Sequence, residues 1–317
     1  MRYQPSRSQR ALIAELDDAL VSILPLARLH DSPLESPSAW EALDALGLFG
    51  LAAPESAGGS GLGALEEALL ANALGRRLAG ADVFATLAAV HAENAGRHKP
   101  GERTTPAFHG SAGVLAVGSG AIGPLLLRQR EGGAALHSGP FQFRPVDGNP
   151  WLDPLLHLGD LGATSGQFDG YGLLRLRLID AAALAGIAEA TLGAATDYAG
   201  LREQFGRPIG SFQAVKHHCA NMAVAAREAG DLVTFAALAI DQGRADAAFL
   251  AESAFAVAAR AAIGNAGASI QIHGAIGFSD EADPHLFLKR ARLLVAIGGG
   301  VETALERIAA MPVAQAA

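Results

Sequence analysis

An arginine beside a glycine- and proline-rich turn makes a ready anion site, because the guanidinium and the free backbone N–H groups of the turn all aim donors at a phosphate. The stretch Tyr198-Ala199-Gly200-Leu201-Arg202-Glu203-Gln204-Phe205-Gly206-Arg207-Pro208-Ile209-Gly210-Ser211-Phe212-Gln213 has that make-up. It reads as a helix end carrying Arg202, a turn, and a new helix whose first turns present Phe212 and Gln213. Taken by itself, a structural helix hairpin is the better account of it.

Other motifs carry less. Gly118-Ser119-Gly120-Ala121-Ile122-Gly123 matches G-x-G-x-x-G after the strand-like Val114–Val117. Pro124 and the early Gly132-Gly133 leave no room for the crossover helix that a dinucleotide site needs, and no acid follows at the ribose distance. A glycine-rich hairpin is the expected reading. Gly59-Ser60-Gly61-Leu62-Gly63-Ala64 fits the looser form but has no strand before it, so it reads as a loop between helices. His217-His218-Cys219 invites a metal, yet neighbours on a helix point about 100° apart, and no metal site is expected. No G-x-S-x-G elbow supports a serine hydrolase.

The elements that position these residues follow from pattern and composition. Half of the 317 residues are hydrophobic and 18% are charged, enough apolar surface for a folded core. Alanine and leucine dominate, which favours helices. Helices are expected over about 7–26, from Pro37 to Leu46 behind a Ser36 cap, and over about 62–78 and 83–95. From Pro106 to Leu178 short apolar runs alternate with glycine and proline, as in small strands; Leu174-Arg175-Leu176-Arg177-Leu178 reads as a last strand or a helix entry. With Asp180 as the cap, four long helices at about 181–203, 212–242, 246–274 and 283–309 make a bundle. The expected architecture is mainly α with a small β domain: a helical domain at 1–105, a reduced β domain at 106–178 and a four-helix bundle at 179–317. A net charge of −8 with no Lys/Arg run argues against nucleic acid. The lone Cys219, the absence of a leader-like start and the lack of an uninterrupted apolar span suggest a cytoplasmic protein off the membrane.

The Arg202 block closely resembles the acyl-CoA dehydrogenase family, whose third domain carries R-x-x-F-G-x-x-I and a following glutamine. Further matches are Gln271-Ile272-His273-Gly274-Ala275-Ile276-Gly277-Phe278, with Glu281 and Lys289-Arg290-Ala291 after it. Near the start stand Trp40, Leu43, Leu46-Gly47-Leu48-Phe49-Gly50 and Pro54-Glu55 with Gly58, Gly59 and Gly61. The resemblance covers both helical regions in the family's order. It implies FAD held between subunits of a tetramer, with Arg202 at the diphosphate and Gln204, Phe205, Ile209 and Gln213 along the adenosine. It also implies that Gln271 and Gly274 approach the cofactor from a neighbouring subunit. The implied activity is α,β-desaturation of an acyl-CoA thioester: a carboxylate takes the α-proton, the flavin accepts the β-hydride, and an electron-transfer flavoprotein is the acceptor.

Two departures stand out. The family's base positions align with Gly298 and Leu176, so no carboxylate occupies either; Glu281, Asp280 and Glu302 are the nearby acids, and Glu281 matches a family residue that is not the base. The β region is short and lacks the T-E-P-x-A-G-S-D and W-I-T segments that hold the flavin, while Ala275 replaces a glycine at a close cofactor approach. The resemblance therefore leaves three readings: a dehydrogenase with an unusual base, a subunit of a mixed tetramer completed by a larger paralogue, or a structural descendant without flavin. The texture of Gly277-Phe278-Ser279-Asp280-Glu281-Ala282-Asp283-Pro284-His285-Leu286 is similar to subunits of α2β2 dehydrogenases.

Overall fold

The computed structural model describes residues 5–32, 34–93, 99–111, 113–118, 123–129, 132–148 and 152–312. The chain opens with four helices: α1 (Arg7–Ile23), α2 (Pro37–Ala45), α3 (Ala64–Arg76) and α4 (Ala81–Ala89). Ser6 and Gln9 cap α1 reciprocally, the Ser6 hydroxyl accepting from the Gln9 N–H and the Gln9 carboxamide from the Ser6 N–H. Ser36 caps α2 with Pro37 in its first turn, as expected. Gly63 offers α3 no side chain, so its free N–H groups are met from far away. The Asp241 carboxylate accepts from Ala64 N at 2.6 Å and Leu65 N at 3.1 Å, which latches the first domain to the bundle.

A seven-stranded sheet follows: β1 (Thr105–Gly110), β2 (Gly113–Val117), β3 (Leu125–Arg128), β4 (Ala134–Ser138), β5 (Phe143–Pro145), β6 (Leu155–Leu158) and β7 (Ala163–Gln167), in the order β5-β6-β2-β1-β3-β4-β7. β1 and β3 run parallel and the other described pairs antiparallel. The expected Gly118–Gly123 hairpin is corrected by this order. β2 and β3 flank β1 instead of pairing with each other, and a strand, not a helix, follows Gly123. Residues 119–122 of that motif lie outside the described residues.

The bundle starts earlier than its sequence suggests. α5 (Gly170–Leu201) is capped by Asp169, whose carboxylate accepts from Gly172 N, and Asp180 sits inside the helix. The Leu174–Leu178 alternation is therefore helical, and the sheet ends at Gln167. What local pattern could not show is that Arg175 and Arg177 are both buried and both paired with acids on distant helices. The two-residue hairpin β8 (Glu203–Gln204) and β9 (Arg207–Pro208) leads to α6 (Gln213–Asp241) and α7 (Ala247–His273). The fourth expected helix is split into α8 (Pro284–Ile297) and α9 (Val301–Ala310) by Gly298-Gly299-Gly300, where Gly299 and Gly300 adopt φ of 89° and 86°.

Two stretches, 170–201 and 247–278, are long and apolar enough to cross a bilayer by length and composition. Their most apolar windows are 72% and 56% buried in the fold, so much of that character serves the bundle core. Alanine and glycine let these helices approach closely. A Cβ on Gly186 would run into the Asn72 carbonyl of α3, and one on Gly75 into the Ala183 carbonyl of α5.

Candidate functional site

Arg202 leaves α5 with its N–H still bonded to the Tyr198 carbonyl at 2.8 Å, while its own carbonyl accepts from Ile209 N at 2.8 Å. That second bond closes the hairpin, whose tip is Phe205-Gly206 with φ of 53° and 76°, the left-handed pair of a tight two-residue turn. α7 ends nearby, where Gly274 takes φ 68° and starts a short helical turn to Phe278. The Tyr198 and His273 rings stack at 4.2 Å and join the two helix ends. His273 Nδ1 donates to the Ser269 carbonyl at 2.7 Å, which fixes the ring.

These elements enclose a cavity of about 510 Å³ lined by Tyr198, Arg202, Gln204, Ile209, Gln271 and Gly274. Among the described residues the Arg202 guanidinium, exposed at the rim, has no hydrogen-bond or ion-pair partner. One unpaired guanidinium and two carboxamides form a donor set suited to a diphosphate. The two sequence blocks meet within one chain, where Arg202, Gln271 and Gly274 line the same cavity. Phe205 and Gln213 do not line the cavity. Phe205 is exposed, its ring at right angles to that of Phe212 with the centroids 6.1 Å apart, and Gln213 is exposed on the first turn of α6.

The two positions aligned with the family's base lie at the other end of α5. At 1.5 Å per residue, Leu176 and Arg202 stand about 39 Å apart. Leu176 is buried and lines a cavity of about 210 Å³ with Arg177 and Glu252. Gly298 ends α8, and a Cβ there would lie 2.6 Å from the buried Phe255 ring. Arg177 lies 4.2 Å over that ring and donates to the Gly298 carbonyl at 2.8 Å. A second cavity, of about 510 Å³, opens between the β1 end, β3 and the α8–α9 turn, and Arg128 borders both.

Behind these walls lies a charge cluster whose members are far apart along the chain. Arg128 pairs with Asp180 at 2.8 Å, and Arg177 and Arg307 each reach Glu252 at 3.1 Å. Burial pushes the Asp180 carboxyl above its usual range despite Arg128 and Arg177. Burial likewise pulls Arg177 below the ordinary arginine range, against Glu252 and Asp180. None of the three nearby acids fills the base position. Glu281, Asp280 and Glu302 are all exposed and line neither cavity. His217 and His218 are exposed on α6.

Two more buried clusters fix the domains together. Glu67 lies 2.7 Å from both Arg175 Nε and His91 Nε2; burial would push it up, but these two partners outweigh that and hold it below its usual range. Asp153 pairs with Arg290 at 2.8 Å in a fully buried setting that raises it to about 6, with Asp82 and Glu35 adding to the rise.

Helical domain, sheet and bundle follow one another in this order along the chain. The signature of the acyl-CoA dehydrogenase N-terminal domain matches residues 6–116 and that of the C-terminal domain matches 170–311. The chain belongs to the acyl-CoA dehydrogenase family. It is 34% identical over 302 residues to the acyl-CoA dehydrogenase FadE34 of Mycobacterium tuberculosis, covering 85% of this chain and 41% of that protein. It thus spans less than half of that relative. With the acyl-CoA dehydrogenase IpdE2 of Mycolicibacterium smegmatis it shares 29% identity over 317 residues, 95% of this chain and 98% of the other. In fold it is similar to a chain of the ChsE4-ChsE5 complex from Mycobacterium tuberculosis, with TM-score 0.78 and 22% identity over 99% of this chain and 100% of that one.

Proposed function

We propose that this chain is a subunit of an FAD-dependent acyl-CoA dehydrogenase that works with a larger, base-bearing paralogue. The observation that carries the reading is Arg202, unpaired in a cavity with Gln271 yet about 39 Å along α5 from the positions aligned with the base. Were a diphosphate held at Arg202, this chain's own Leu176 and Gly298 would stand at the far end of α5 from it. Arg202 holds the diphosphate charge, Gln204 and Gln271 offer carboxamide donors, and Gly274 keeps the wall low beside them. FAD, when bound, supplies the acceptor for a hydride from the β-carbon of an acyl-CoA, and an electron-transfer flavoprotein takes the electrons onward. The paralogue's carboxylate removes the α-proton, since Gly298 and Leu176 cannot. Two relatives support a paired arrangement: ChsE4-ChsE5 is a complex, and FadE34 has more length outside the match than within it.

The test is co-expression with a full-length paralogue, followed by flavin content, native mass and anaerobic titration with an acyl-CoA. A yellow mixed oligomer that bleaches, beside a chain that does not bleach alone, supports the reading. Bleaching by this chain alone overturns the need for a partner, and a colourless mixed oligomer overturns the role of FAD.

A further inference from the structure

We propose that the Arg307 side chain is a gate between the two cavities that flank α9, closed by its ion pair with Glu252. The larger cavity is bordered by Gly299 and Thr303, and the smaller by Gly132, Glu252 and Met311. Arg307 stands where they meet. A Cβ built on Gly132 would lie 3.0 Å from its Nε, and one on Gly299 would lie 3.5 Å from its Nη2. The guanidinium therefore fills the space between a wall residue of one cavity and a wall residue of the other. The gate concerns passage between the cavities, whatever they bind, and so is independent of the dehydrogenase reading.

The pair is placed to release. Among the described residues, three guanidiniums (Arg128, Arg177 and Arg307) face two carboxylates, Asp180 and Glu252, and the charges balance once Arg307 leaves. A buried acid that loses its only partner is costly, but Glu252 keeps Arg177, whose Nε donates to the same oxygen at 3.1 Å. Arg307 is also the most exposed of the three, its side chain at 21% against 14% for Arg128 and 8% for Arg177. Its helix is lightly held. Ala304 is the one fully buried residue of α9, whereas α8 buries ten of its fourteen. Gly299 and Gly300, both at positive φ, join the two helices, and Arg177 fixes the Gly298 carbonyl just before that joint. Low burial beside a flexible joint is where local opening costs least.

The experiment measures, in the full chain, how fast iodoacetamide alkylates a thiol placed in the smaller cavity, read by peptide mass. Ala251 and Leu176 line that cavity at 1% and 2% exposure, so Ala251→Cys and Leu176→Cys each put a thiol behind the gate. Cys219, half-buried on α6 and outside both cavities, is the internal reference. Removing the latch in Arg307→Gln should speed alkylation roughly tenfold relative to Cys219, as the loss of one charge-assisted hydrogen bond predicts. Arg307→Lys, which keeps the charge without the fork, should fall between. Raising salt should speed labelling while Arg307 is present and have no effect in Arg307→Gln. If Arg307→Gln does not fold, the salt response of the chain that keeps Arg307 decides the matter. Labelling that ignores both Arg307 and salt overturns the gate. So does a Cys219 rate that rises in step with the new thiol, because that reports opening of the whole bundle.

Discussion

Arg177 donates to the Gly298 carbonyl at 2.8 Å and covers the Phe255 ring at 4.2 Å, so one side chain from α5 pins the turn where the family's glutamate aligns. Restoring that carboxylate is therefore expected to fail. In Gly298→Glu the new Cβ meets Phe255 at 2.6 Å and the acid enters beside Glu252, an overpacked and like-charged neighbourhood. The cost should be about 1–3 kcal/mol. A lowered melting temperature without acyl-CoA-dependent bleaching of the isolated chain is the expected result. A stable variant that bleaches on its own would show that the turn is open to substrate.

Arg202→Ala should separate binding from stability. The side chain is exposed and makes no hydrogen bond or ion pair among the described residues, so the melting temperature should stay within the equivalent of about 0.5 kcal/mol. A lost charge-assisted hydrogen bond to phosphate costs about 1.5–3 kcal/mol, roughly tenfold to a hundredfold in affinity. Calorimetry with ADP and the flavin content of the mixed oligomer measure it, and Arg202→Lys should fall between, having charge but no fork. Unchanged ADP affinity in Arg202→Ala would remove the central support for the shared site.

What could be read from sequence divides along a physical line. Capping is local, so Ser36-Pro37 marked α2 correctly, and the Arg202 and Gln271 blocks are contiguous enough to be recognised by type and spacing. Arg175 and Arg177 looked like the polar face of a strand because their partners, Glu67 and Glu252, lie 108 and 75 residues away. The same distance hid the Asp241 latch on α3 and the cluster around Arg128. Phe205 and Gln213 stand outside the cavity for a different reason. A motif shows which residues travel together, while the left-handed turn at Phe205-Gly206 decides which of them face the cavity.

Asp153 gives the stability a pH signature. Its folded-state value near 6 lies above the unfolded 3.8, so its protonated form favours folding. That contribution is complete below about pH 4 and is lost as pH rises through 6, by up to about 3 kcal/mol at 1.36 kcal/mol per unit. Glu67 acts in the opposite sense and in a lower window: held below 4.5, it contributes above that pH and loses its contribution as pH falls further. Denaturant unfolding at pH 4.5, 5.5 and 6.5 should show the Asp153 slope. Asp153→Asn should flatten it, because the carboxamide has no proton to lose across this range. A slope that survives in Asp153→Asn would assign the titration to another group.

Phe205 combines two costs that folding alone does not explain. A non-glycine residue in the left-handed region costs about 1–2 kcal/mol, and its ring is 90% exposed, with only an edge contact to Phe212. Leu201 and Phe278, 83% and 74% exposed, stand on the elements that frame the Arg202 cavity. Apolar surface gathered around an incomplete site is what a subunit contact covers. Phe205→Gly relieves the strained φ at the expense of glycine's extra unfolded-state freedom, so the isolated chain should gain up to about 1 kcal/mol or stay level. The mixed oligomer should weaken at the same time, moving native mass toward single chains at micromolar concentration. A variant that is more stable yet assembles less well can only have lost a contact made with another chain. Undiminished assembly would place the Phe205 ring outside the interface and leave its strain without a function.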